Sequence, residues 1–169
     1  DWMGGTTQWN LAYNQTKTDV TEYNTATIDP QRIKQIEDTT PETRWNLSAN
    51  HSMDAWRFLA RVSFYDEWFD QFECDVFASS CNDDILADDG AYTFDSEFVV
   101  DLEAEYEING NSSVLLGVNN VLDNSGQTTT EMHGLGFNTA TAAVGNTYSA
   151  FAPMGFSGAF YYANYRYNF

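Results

Sequence analysis

Most of the side chains in this sequence that could do chemistry are carboxylates. Asp101, Glu103, Glu105 and Glu107 occupy every second position, a spacing that puts all four on one face of an extended strand. Such a row could hold a cationic solute, or it could pair with cations on a neighbouring strand. Arg57 and Arg61 share one face of an earlier segment, with Arg44 on the polar side of the segment before it. Arg57 and Arg61 are natural cross-strand partners for the acids. Asp83, Asp84, Asp88 and Asp89 crowd together after Cys81. Hard carboxylates at that density suit calcium, but the spacing is not that of an EF-hand loop, and an acidic solvated loop is the simpler reading.

The remaining reactive groups are sparse. The two histidines, His51 and His133, form no HExxH pair, and no nucleophile sits in a strained turn; no catalytic constellation emerges. A hydrolase using either histidine with an acid is the enzymatic alternative. Cys74 and Cys81 lie close together in a polar stretch and would form a local disulfide in an oxidising compartment. A structural zinc site would need more ligands than two thiolates with no nearby histidine. The sequence implies no metal and no cofactor. Tyr65, Trp68, Phe69, Tyr148 and Phe151, with Asp70 and His133 nearby, are the candidate contacts for a small-molecule ligand such as a sugar or an aromatic chelate. For Trp68 and Phe69 a purely girdling role is the competing reading.

These residues need an all-β frame. Six segments alternate apolar and polar residues with a period of two. They run over Thr6–Tyr13, Arg44–His51, Trp56–Tyr65, Phe98–Ile108, Ser113–Leu122 and a final segment ending on Tyr165, Tyr167 and Phe169. Asp29 as a cap and Pro30 at the first helical position predict one short helix reaching Ile36. A tight turn at Ser52-Met53-Asp54 and the Asn109-Gly110-Asn111 turn predict two short hairpin links. The other connections exceed roughly 15 residues, long for ordinary loops. Short turns on one rim and long loops on the other are the habit of outer-membrane barrels.

Composition narrows the classes. The 169 residues carry 25 acidic against 7 basic side chains, a net charge of −18, so nucleic acid is a poor partner. Aromatics at 16% and hydrophobics at 43% argue against disorder. No apolar run approaches the ~18 residues of a helical span. The mean hydropathy of −0.45 still suits a barrel, whose strands turn only alternate residues to lipid. The chain opens on Asp1 with no signal peptide and reads as a mature product or a fragment.

Gly117-Val118-Asn119-Asn120-Val121-Leu122-Asp123 resembles the Gly-x-Asn-Asn-Leu-Phe-Asp segment in the penultimate strand of the TonB-dependent receptors of the bacterial outer membrane. Pro153 to Ala163 is similar to the final strand of one subgroup, and Thr43–Leu47 and Trp56–Arg61 fit the same family. Val121-Leu122 in place of Leu-Phe, and Asn164 in place of a small residue, are departures from it. The resemblance implies a transmembrane antiparallel β-barrel of 22 strands with a plugged lumen. Residues 1–169 would supply its last six strands, in three hairpins, without the plug domain or the earlier strands. It implies import of a scarce solute (siderophore, cobalamin or oligosaccharide) across the outer membrane of a Gram-negative bacterium, without enzymatic activity. The expected partners are membrane lipid and lipopolysaccharide, the rest of the barrel and its plug, the TonB energy-transducing system and the barrel-assembly machinery. Arg44, Arg57, Arg61, Asp101, Glu103, Glu105 and Glu107 would face the lumen, and Tyr165, Tyr167 and Phe169 would form the assembly signal. The competing class is a secreted, soluble β-sandwich that binds glycans, with the strand faces packed together and Phe169 in a core.

Overall fold

A computed structural model describes residues 4–24, 26–28, 30–71, 91–128, 148–149 and 151–169. In chain order the elements are β1 (Thr6–Gln15), α1 (Pro30–Asp38), β2 (Thr43–Met53), β3 (Trp56–Tyr65), β4 (Trp68–Gln71), β5 (Ala91–Phe94), β6 (Glu97–Asn109), β7 (Ser112–Asn119) and β8 (Phe160–Tyr167). Six of the strands form one sheet in the order β1-β2-β3-β6-β7-β8, and β4 pairs with β5 alone. Every pairing is antiparallel. The six alternating segments of the sequence are the six strands of the large sheet.

Two short turns join strands at one end. Asp54 takes φ 51° between β2 and β3, a left-handed conformation that Asp tolerates. Between β6 and β7 the Asn109 side chain accepts from the Asn111 backbone N–H at 3.0 Å, closing the turn locally. The helix lies where Pro30 predicts it; Asp29, its expected cap, falls outside the described residues.

Register fixes two faces across the whole sheet. One row runs Trp9, Ala49, Ala60, Leu102, Val118 and Tyr161. The row beside it on the opposite face joins Ser48 through Arg61 to Asp101. The apolar face is open: Trp9, Leu11, Tyr13, Leu116, Tyr161 and Tyr165 are all exposed. The buried hydrophobic residues among those described are Ile33, Trp68, Phe69 and Phe94, which belong to α1, β4 and β5. The core therefore sits in the long connections, and the sheet presents its apolar face outward. A soluble chain rarely exposes a contiguous apolar patch beyond a few hundred Å². The six strands also form one sheet, where a sandwich would divide them between two facing ones.

Two expectations are corrected here. The β4–β5 hairpin adds two strands inside what reads as a plain loop. The fifth alternating segment of the sequence, observed as β7, ends at Asn119 and not at Leu122, because Asn120 turns the chain at φ 55°.

Candidate functional site

On the polar face the acids meet their cations in register. Arg57 stands opposite Glu105 and Arg61 opposite Asp101. Arg57 Nε donates to Glu105 Oε2 at 2.9 Å, and Arg61 Nε to Asp101 Oδ2 at 3.0 Å. Glu105 also accepts from the Ser113 hydroxyl at 2.9 Å and lies 3.8 Å from Arg166. Asp101 Oδ1 accepts the Asn120 backbone N–H at 2.9 Å. The carboxylates are the covered partners, with side chains 15% and 13% exposed against 39% and 44% for Arg57 and Arg61. This face therefore presents guanidinium groups to solvent at these two pairs, and the acids act mainly as their anchors. Glu103 accepts from the Tyr162 hydroxyl at 2.6 Å. Arg44 lies opposite Tyr65 on the same face, and Glu107 opposite Ser113.

Aromatic rings band the apolar face at both ends. Toward the long connections, Trp45 stacks on Phe64 at 5.5 Å and Phe98 lies 4.9 Å from Phe64. Toward the short turns, Trp56 lies 5.6 Å from Phe58 and 4.6 Å from Tyr106. Tyr167 meets Phe169 edge-on at 5.0 Å on the same side, and Tyr165, Tyr167 and Phe169 are all well exposed. On β3 and β6 the residues between the bands are Ala, Val and Leu. β3 has 10 residues; at ~3.3 Å per residue it is about 33 Å long.

The long connections pack on one another. Trp68 stacks on Phe94 at 5.2 Å, and the Lys34 ammonium from α1 sits 4.7 Å from the Phe69 ring centre. Ser149 Oγ donates to Asp70 Oδ2 at 2.5 Å and in turn accepts the Phe151 N–H at 3.1 Å. Thus α1, the β4–β5 hairpin, Tyr148, Ser149 and Phe151 make one cap. Trp68 and Asp70, two of the candidate ligand contacts, are 1% and 2% exposed: the hairpin folds them inward as the cap's core. Tyr65 and Tyr148 are half-buried, Tyr148 stacked on Phe156 at 6.0 Å, while Phe151 is exposed. Among the described candidate ligand contacts, Phe151 has the most open surface. His133, Cys74, Cys81 and the Asp83–Asp89 cluster lie outside the described residues.

No protein-family model matches the chain, and no curated protein matches it. Among solved structures it is similar to the closed form of the ferric-catecholate import receptor Fiu of E. coli K12, at 17% sequence identity and a TM-score of 0.49 over 70% of this chain. The chain spans 15% of that receptor's length.

One group of residues has a role that periodicity did not show. Asn120 Nδ2 donates to the Asn124 carbonyl at 2.6 Å, and its Oδ1 accepts the Asn124 N–H at 3.0 Å. Asn124 Nδ2 reaches Glu97 at 2.6 Å, and Asp123 Oδ1 accepts the Ala159 N–H at 2.8 Å. This knot ties the ends of β6, β7 and β8 where no ladder continues. The Asn-Asn-x-x-Asp pattern thus folds as a strand terminator, with both Asn120 and Asp123 at φ 55°. The run of Asn and Asp was itself the sequence signal for side-chain-to-backbone turns.

Proposed function

We propose that this chain is a wall segment of an outer-membrane receptor that imports a scarce solute. The observation that carries the reading is the inverted placement of apolar residues. A banded apolar face lies open on the sheet, while the buried core is confined to the cap. In hydrocarbon that arrangement is favourable, because the sheet satisfies its own backbone and lipid covers the rings. The edges β1 and β8 then pair with further strands of a larger barrel, of which residues 1–169 form the C-terminal part in a wall of 22 strands.

In this reading the polar face lines the lumen, against a plug domain and passing solute. The cap lies outside the cell and offers Phe151, Tyr148 and Tyr65 to the ligand, with His133 kept as a candidate contact from the sequence alone. The short turns face the periplasm, where the TonB system would supply energy by displacing the plug. Tyr165, Tyr167 and Phe169 would serve recognition by the barrel-assembly machinery. The solute class (siderophore, cobalamin or oligosaccharide) follows from the family resemblance and not from a shaped pocket. The Cys74–Cys81 disulfide belongs to the same proposal.

The intact protein, extracted from membranes, tests it. A requirement for detergent to stay monodisperse, together with solute uptake that stops when the inner-membrane proton gradient is dissipated, is the expected result. Monodispersity in plain buffer would instead fit the secreted glycan-binding sandwich and would overturn the proposal.

A further inference from the structure

The sequence holds one Asn-Gly pair, Asn109-Gly110. The fold places it at the tip of the β6–β7 hairpin, where Asn109, Gly110 and Asn111 are all exposed. Asn109 Oδ1 accepts the Asn111 backbone N–H at 3.0 Å, which polarises the side-chain carbonyl. Asn109 Nδ2 makes no hydrogen bond with the described residues. The Gly110 N–H, the next group along the chain, is likewise uncommitted among the described residues. Gly110 has no Cβ, and the space beside it is open, with no atom within 4 Å of where one would stand. A polarised carbon, a free amide nitrogen that can leave and an unshielded backbone nitrogen therefore meet in one exposed turn.

We propose that Asn109 is a site of self-modification, converting to aspartate or its β-linked isomer through a succinimide formed with Gly110. The Gly110 nitrogen gives up its proton and attacks Asn109 Cγ. The Cγ–Nδ2 bond breaks, and Nδ2 departs as ammonia with that proton. Charge gathering on Oδ1 during the attack is met by the Asn111 N–H already in place. Water then breaks one of the two C–N bonds of the ring, its hydroxyl going to the carbon and its hydrogen to the nitrogen. Neighbouring asparagines are held back. Asn111 Nδ2 donates to the Asn168 carbonyl at 2.8 Å, and the residue after it, Ser112, is buried in the β7 ladder. Asn124 Nδ2 is committed to Glu97 and to the Phe98 carbonyl. Either product adds a carboxylate to the wall of a polar cleft that also holds Arg57 and Arg166. The β-linked product also adds a main-chain carbon before Gly110. That lengthens the turn holding Asn111 against Asn168, whose N–H donates to the Asn111 carbonyl at 2.9 Å, and so loosens the chain just past β8.

The test uses the intact protein in detergent at mildly alkaline pH, followed over time by peptide mass mapping. The β6–β7 peptide is expected to exchange an amide for an acid, with fragmentation placing the change at Asn109 and not at Asn111. Its β-linked form should accept a methyl group from an isoaspartyl methyltransferase. Gly110→Ala, which the open space accommodates, should slow the conversion about tenfold, a barrier higher by about 1.4 kcal/mol. The folded protein should convert at least as fast as the same chain unfolded in guanidinium chloride. Slower conversion in the folded protein, or equal rates in the wild type and Gly110→Ala, would overturn the proposal. Hydrogen exchange at the Asn168 N–H should rise in the converted fraction, and unchanged exchange would overturn the link to the end of β8.

Discussion

The Tyr162 ring lies directly over Gly117 on the neighbouring strand. A Cβ built on Gly117 would overlap Tyr162 Cζ, so the ring fills the space a side chain would take. The two residues are cross-strand partners, and the ring reaches past the glycine so that its hydroxyl meets Glu103 on β6 at 2.6 Å. One aromatic residue thus both covers a gap in the ladder and ties three strands together, the way a glycine in a sheet is rescued by a neighbouring ring.

Gly117→Ala should therefore destabilise the sheet by about 1–3 kcal/mol through overpacking. Tyr162→Phe, which keeps the ring, should cost about 1.5–3 kcal/mol for the lost bond to a carboxylate. Combining Gly117→Ala with Tyr162→Ala should cost less than the sum of the two changes, since the clash disappears. Urea unfolding reads Gly117→Ala, Tyr162→Ala and their double variant beside Tyr162→Phe, and strict additivity would show that the ring does not lie on the glycine.

Asp101 and Arg61 should be unequal partners. Arg61→Gln removes one half-exposed ion pair, worth about 0.2–1 kcal/mol. Asp101→Ala also strips the Asn120 N–H of its acceptor, adding about 1–3 kcal/mol. Unfolding midpoints should separate the two variants, and identical losses would place the energy in the ion pair alone.

At the Asn120–Asn124 knot, Asn120→Ala loses both side-chain bonds and puts an alanine at φ 55°. Asn120→Gly should be milder, because glycine accepts that backbone. Limited proteolysis of the purified protein should cut near residues 120–126 faster in the alanine variant, with the glycine variant in between. Equal cutting of the two variants would show that side-chain bonding alone, without the backbone conformation, holds the turn.

In the cap, Phe94→Ala should cost about 3–5 kcal/mol locally by leaving a cavity against Trp68. Ser149→Ala should cost about 1–3 kcal/mol by removing a donor from buried Asp70. Hydrogen exchange should rise across α1, β4 and β5 while β3 and β6 stay protected. Uniform loss of protection would mean that the cap and the sheet unfold as one unit.

These contrasts follow how plainly each part was written in the chain. The strand from Phe98 to Ile108 alternates without a break, and both its faces were legible, including the partnership of Arg57 and Arg61 with the acid row. Trp68-Phe69 was not legible. Both rings are buried, on opposite faces of a four-residue strand, so no alternation marks them, and their partner strand lies 19 residues further along the chain, after residues 72–90. The Asn120 turn was misread as strand because Val121 and Leu122 look apolar; tertiary hydrogen bonds to Asp101 and Glu97 decide that segment. Tyr162 is an aromatic residue on a polar face, and its reason, Gly117, belongs to another strand.

The central claim is that the face bearing Phe58, Ala60 and Val62 meets lipid while the face bearing Leu59, Arg61 and Ser63 meets water. Single cysteines at these six positions of β3, each carrying a nitroxide in the intact protein in its membrane, measure it directly through collisional access to oxygen and to a water-soluble nickel complex. The account predicts a strict period of two: oxygen access high at Phe58, Ala60 and Val62, nickel access higher at the other three. Equal nickel access on both faces, or protection of Ala60 from both reagents, would contradict it.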